Sequence, residues 1–169
     1  MNYIRFEFIQ KNILFFVIII ASCLVQISLN FLSFFKISQP YLIAIIIFLM
    51  IKNFKSIPSY TLIIISGLFY DFISGSLLGI HSLFFSMIKI STLNSKLSLY
   101  IEKNYGEWFL FCFVYIISLI FNKLVFIIVN LKIPDVYAIS YNIGTTLLLF
   151  PIIVTLINLP KLIYKYLSN

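Results

Sequence analysis

Charge is what this sequence has least of. Only 10% of its residues are Asp, Glu, Lys or Arg, and only five of 169 are acidic. A soluble domain carries about 25% charged residues, so there is too little polar surface here to cover a water-soluble globule. Five prolines and five glycines are too few for a disordered or collagen-like chain. The single histidine, His81, has no Cys, Asp or Glu at ligand spacing, which excludes a metal site on sequence pattern. It is read as a polar contact between helices. The two cysteines, Cys23 and Cys112, each lie inside an apolar run and read as packing residues, not as a disulfide framework. No Walker or dinucleotide glycine pattern and no nucleophile elbow occurs, so the chain is expected not to be an enzyme and to take no cofactor.

What fills the chain instead is apolar. Hydrophobic residues make up 62% and the mean hydropathy is +1.11. The expected class is an all-α integral membrane protein forming a single transmembrane domain over residues 1–169. A spanning helix needs about 20 residues to cross roughly 30 Å of hydrocarbon. Six spans are predicted: Ile13 to Phe34, Pro40 to Ile51, Ile57 to Ser74, Leu77 to Leu93, Glu107 to Leu131 and Val136 to Leu159. The first is read as a retained span, since its apolar run is longer than a signal core. In the second, Pro40 suits a first helical turn. The block from Ile57 to Leu93 would rise roughly 55 Å as one helix, so it must reverse, and Ser74-Gly75-Ser76 is the best breaker. Asn94 to Gly106 is the most polar stretch, read as a loop with room for an interfacial helix. Trp108 follows it as an interface anchor.

The basic residues test the parse. With both ends inside, nine lie on the inner side (Arg5, Lys11, Lys52, Lys55, Lys89, Lys96, Lys103, Lys161 and Lys165) and two outside (Lys36 and Lys132). That is the positive-inside bias of a multi-pass protein. The net charge of +7 is therefore read as topology beside anionic lipid headgroups, and nucleic acid is not an expected partner.

The chemistry-bearing residues cluster from Gly67 to Gly79. Gly67, Asp71 and Gly75 are spaced by four and share one helical face, where glycines let another helix approach closely. Three roles are open to Asp71: accepting hydrogen bonds from the turn at Ser74-Gly75-Ser76, contacting a partner helix, or relaying protons. Turn geometry favours the first. Lys123 is a second intramembrane charge, about 12 Å from the outer end of its span. Two readings of Lys123 are open, an Asp71–Lys123 ion pair or a lysine that snorkels towards headgroups or water.

Gly67, Asp71, Ser74-Gly75 and Gly79 stand at the places where the rod shape-determining MreD family has a Gly, an Asp four residues on, then Ser-Gly and a further Gly. This segment resembles that signature. Pro40-Tyr41 is similar to the family's Arg/Gln-Pro opening of its second apolar segment, and Asn142 and Pro151 fall in the last span, where the family carries an Asn and a Pro. The resemblance implies a non-enzymatic scaffold of the bacterial elongation (Rod) complex in the cytoplasmic (inner) membrane, acting in cell shape and lateral peptidoglycan synthesis. Its implied partners are MreC, a single-pass membrane protein, then RodA and a class B penicillin-binding protein, with MreB filaments indirectly. It also implies a fold similar to the substrate-binding subunits of ECF-type vitamin transporters. The alternative function is such a subunit of a small-solute transporter, with Asp71, Tyr70, Asn122 and Lys123 contributing to a cavity near the outer face.

Overall fold

The computed structural model describes residues 2–29, 39–53, 59–93, 96–131 and 133–167. Among them are six helices: α1 (Asn2–Ser28), α2 (Leu42–Asn53), α3 (Tyr60–Ser74), α4 (Ile80–Leu93), α5 (Lys96–Asn130) and α6 (Val136–Leu167). The protein is all-helical. Two of its helical stretches, Tyr105–Asn130 and Val136–Ile157, are long and apolar enough to cross a membrane. Only 28% and 11% of their apolar windows are buried within the molecule. The helices of a soluble core show the reverse pattern, with the apolar stripe turned inward.

The bundle is built around α2. Seven of its twelve residues are buried, among them Ile43, Ile47, Phe48 and Ile51. It packs against α1, α4, α5 and α6. Phe48 meets Phe111 of α5 edge-on at 5.2 Å and Phe150 of α6 at 5.8 Å, while Phe111 and Phe150 stack at 4.4 Å. Between apolar helices in lipid, such close van der Waals contact is the main attraction.

Several boundaries differ from the sequence expectation. α1 begins at Asn2, well before Ile13, because polar residues ahead of an apolar run can extend a helix beyond it. The expected end of the first span and the start of the third fall outside the described residues. Pro40 is not in a helical turn. α2 starts two residues later, and the Pro40 carbonyl instead accepts from Gln26 Nε2 at 2.8 Å and from the Leu42 amide at 3.1 Å. The reversal between α3 and α4 is longer than the three residues expected, running from Gly75 to Gly79. The polar stretch from Lys96 is helical, and Gly106 breaks α5 with φ 86° and ψ 174°. α6 continues through Pro160 to Leu167. The Trp108 indole donates to the Leu147 carbonyl of α6 at 3.1 Å.

At one end of the bundle Lys52 of α2 pairs with Glu107 of α5 at 3.2 Å, and the Lys89 ammonium of α4 lies 3.7 Å from the centre of the Tyr60 ring of α3. The starts of α2, α4 and α6 and the ends of α3 and α5 gather at the other end, around the site described next.

Candidate functional site

α3 and α4 form a tight hairpin, and Gly67 sets their separation. A Cβ there would collide with the Cα and amide nitrogen of Ser82 and lie 2.7 Å from its Oγ. Only a residue without a side chain permits this approach. Ser82 Oγ also donates to the Ile64 carbonyl at 2.8 Å, stitching α4 to α3 where they cross.

Asp71 organises the far end of the hairpin. It is 0% exposed. Oδ2 accepts from the Gly79 amide at 2.7 Å, and Oδ1 accepts from the Ser76 hydroxyl at 2.7 Å and the His81 amide at 3.2 Å. Oδ1 also pairs with His81 Nδ1. The carboxylate thus satisfies amides at the start of α4 that have no helical acceptor. Gly75 ends α3 in the left-handed conformation, φ 67°, with its amide on the Asp71 carbonyl. The Cβ position at Gly75 is open, so its conformation and not its space demands glycine. Gly79 also has a positive φ, 95°. Ser74 Oγ bonds Ser76 Oγ at 3.1 Å.

The carboxylate accepts only, so Nδ1 of His81 carries the proton of the Asp71 pair. That fixes the ring and leaves Nε2 as its remaining polar atom. Tyr41 stacks on the ring at 5.9 Å and Tyr70 meets it edge-on at 4.7 Å. The Asp71–Lys123 pair does not form among the described residues. The oxygens of Asp71 are taken by the α3–α4 hairpin, which offers donors much nearer in sequence than α5. Lys123 instead sits 5.8 Å from the centre of the Phe126 ring.

Beside the hairpin lies a cavity of about 480 Å³. Its lining includes Tyr41, His81 and Phe84, then Tyr115, Asn122 and Lys123 of α5, and Pro134, Asp135 and Asn142. This lies within the usual 300–1,000 Å³ of small-molecule pockets. Below it, the start of α2 is clamped by side chains of two other helices. The Tyr41 amide donates to Thr146 Oγ1 at 2.9 Å, and the Leu42 amide to Gln26 Oε1 at 2.8 Å. Tyr115 donates to Asn142 Oδ1 at 2.5 Å, and Asn142 Nδ2 bonds the Gln39 carbonyl. Among the described residues no group of three His, Cys, Asp or Glu gathers as a metal site. Cys23 and Cys112 are both unbonded.

Comparison with family models finds no match, and neither the curated proteins nor the solved structures give one.

The structure thus brings Asp71, Ser74, Gly75 and Gly79 together in one turn, places Gly67 two helical turns away at the crossing, and separates Lys123 from Asp71. Sequence reasoning missed His81 as the partner of Asp71. The signal was present: His81 lies ten residues after Asp71, across a turn of known position. It also missed Gln26 and Thr146 as acceptors for the amides at the start of α2, and Asn142 as donor to the Gln39 carbonyl. Pro40 is the relevant signal there, because a helix opening just after a proline still exposes amides that need acceptors.

Proposed function

We propose that this chain is a multi-pass protein of a bacterial cytoplasmic membrane, with six spans and both termini inside, serving as a non-enzymatic scaffold of the MreD kind. Its partners on this reading are a single-pass, MreC-like protein and, through it, the wall synthases of an elongation complex. The observation that carries the proposal is the Gly67–Gly79 hairpin. Each residue that resembles the family signature has a defined part in building it: Gly67 the crossing, Asp71 the turn amides, Gly75 and Gly79 the positive φ angles. Gly67 and Asp71 are buried while Ser74 and Gly75 are exposed, so docking falls to the outer side of the turn and its apolar residues. Phe72 is 80% exposed on α3 and Leu78 is 71% exposed on the turn. The long, outward-facing apolar surfaces of α5 and α6 support the membrane assignment.

The test is recovery of a single-pass partner with a large outer domain from native membranes. Phe72→Ala and Leu78→Ala should lower that recovery and widen the cells while leaving the protein level unchanged. Full recovery and normal width with both variants would refute docking at this hairpin. The topology is tested separately, by labelling a cysteine added at the C-terminus. Labelling by an impermeant reagent from outside would refute the inside tail.

The cavity favours a second reading, a substrate-binding subunit of an ECF-type small-solute transporter. Of the residues expected to contribute, Asn122 and Lys123 line the cavity and Asp71 and Tyr70 do not, while His81, Asn130 and Asn142 add polar groups. On that reading the purified protein carries a bound solute and co-purifies with an energising partner instead of a single-pass one.

A further inference from the structure

The walls of the cavity differ in chemistry. On α5, Asn122, Phe126 and Asn130 recur every four residues and so form one stripe, with Lys123 beside it. This wall is rich in donors whose needs are unmet. Lys123 is half-buried and makes no ion pair with any described residue. Nδ2 of Asn130 is buried with no hydrogen-bond partner. Nδ2 of Asn122 has only a long contact, 3.4 Å, to the Ile80 carbonyl. A buried polar group without a partner is costly, and a cation in an apolar setting more so. Another part of the lining is aromatic: Tyr41 stacked on His81, and Phe84 edge-on to Tyr41 at 5.4 Å.

Two carboxylates could have answered Lys123, and neither does. Asp71 is buried behind His81 with its oxygens occupied. Asp135 lines the rim, exposed to solvent, and accepts from the Tyr137 amide at 2.9 Å as the cap of α6. A charge so placed is screened by water and leaves the deeper lysine uncompensated.

We propose that this cavity binds a small anion: a carboxylate or phosphate held by Lys123, with one amide of the same stripe, Asn122 or Asn130, as second donor, on a flat or apolar body laid against Tyr41, His81 and Phe84. The scaffold reading needs no such ligand, and the second reading leaves its class open. The anion comes either from a free solute or from the headgroup of an anionic lipid. The lip formed by Leu131, Ile133 and Val136, 89%, 85% and 68% exposed, is apolar enough to meet an acyl chain.

The experiment uses the full chain in nanodiscs. Benzoate and phenyl phosphate serve as free anions, benzylamine as the cationic counterpart, and binding is read by calorimetry and native mass spectrometry. In a second arm, discs of mixed phosphatidylglycerol and phosphatidylcholine are scored for the lipid retained. Saturable binding of the aromatic anions, or retention of phosphatidylglycerol over phosphatidylcholine, is expected, and the arm that responds identifies the source. Lys123→Gln should weaken binding about 10- to 100-fold, as loss of a charge-assisted hydrogen bond does. Lys123→Arg should keep it. Asn130→Leu, which removes the unmet donor without touching the charge, should weaken it less and serves where Lys123→Gln fails to fold. Benzylamine binding as well as benzoate, wild-type affinity in both Lys123→Gln and Asn130→Leu, or no response in either arm would overturn the proposal. Anion binding by a protein that recovers only a single-pass partner would remove the transporter reading and uphold the site.

Discussion

The indole N–H of Trp108 donates to the carbonyl oxygen of Leu147 at 3.1 Å, and that oxygen is the one Pro151 leaves without a helical partner. In an uninterrupted helix the amide of residue 151 would bond the carbonyl of residue 147. Proline has no amide hydrogen to give. α5 therefore repairs a defect in α6. Trp108→Phe should destabilise the protein by about 0.5–1.5 kcal/mol, the net worth of one hydrogen bond at an exposed site. Pro151→Ala restores the helical donor and should make the Trp108→Phe change nearly silent. Thermal unfolding of the single and double variants in detergent checks this, and additive losses would show that the two residues are not linked.

At the α3–α4 crossing, Gly67→Ala should cost about 1–3 kcal/mol, because the added methyl meets backbone atoms of Ser82 that cannot rotate away. Ser82→Ala should cost only about 1 kcal/mol, the Ile64 hydrogen bond. The double variant should stay as unstable as the sum of the two. Rescue of Gly67→Ala by Ser82→Ala would mean that the side chain, not the backbone, sets the approach.

Asp71→Asn should cost about 1–3 kcal/mol, since a buried carboxylate with donors on both oxygens loses one acceptor oxygen. His81→Gln keeps a donor towards the carboxylate and should be milder than His81→Leu. Equal losses from the two His81 variants, measured by denaturant unfolding, would show that the hydrogen bond contributes nothing.

The clamp on α2 gives a fourth test. Gln26→Leu removes the bonds from Gln26 to the Leu42 amide and the Pro40 carbonyl, which keep only their mutual contact at 3.1 Å, and Thr146→Val frees the Tyr41 amide. Each should lower the unfolding midpoint. Gln26→Leu should have the larger effect, because it removes two hydrogen bonds to this turn where Thr146→Val removes one. The reverse order would indicate that water enters at the Gln26 side.

What the sequence discloses here divides along a physical line. Helical class and the position of the central reversal follow from apolar run length and from Gly75, both local properties. The role of Gly67 is legible because its spacing to Asp71 and Gly75 puts them on one face. The partner of Asp71 is a different matter. An ion pair was sought across the bundle at Lys123, since opposite charges in lipid invite pairing. The carboxylate instead closes on Ser76, Gly79 and His81, where the chain between them is short and little conformational freedom is lost. The cavity was legible only as a scatter of isolated polar residues, because Tyr41, Asn122 and Asn142 come from three helices whose mutual rotation no local pattern sets.

The clamp on α2 also bears on the order of assembly. Twelve residues rise about 18 Å, short of the hydrocarbon thickness, so α2 is a poor membrane segment by itself. Thr146, which receives its first free amide, follows Tyr41 by 105 positions. During synthesis the start of α2 therefore rests on α1 and α4 until α6 has been made. A residue far downstream completes the first turn of an early helix.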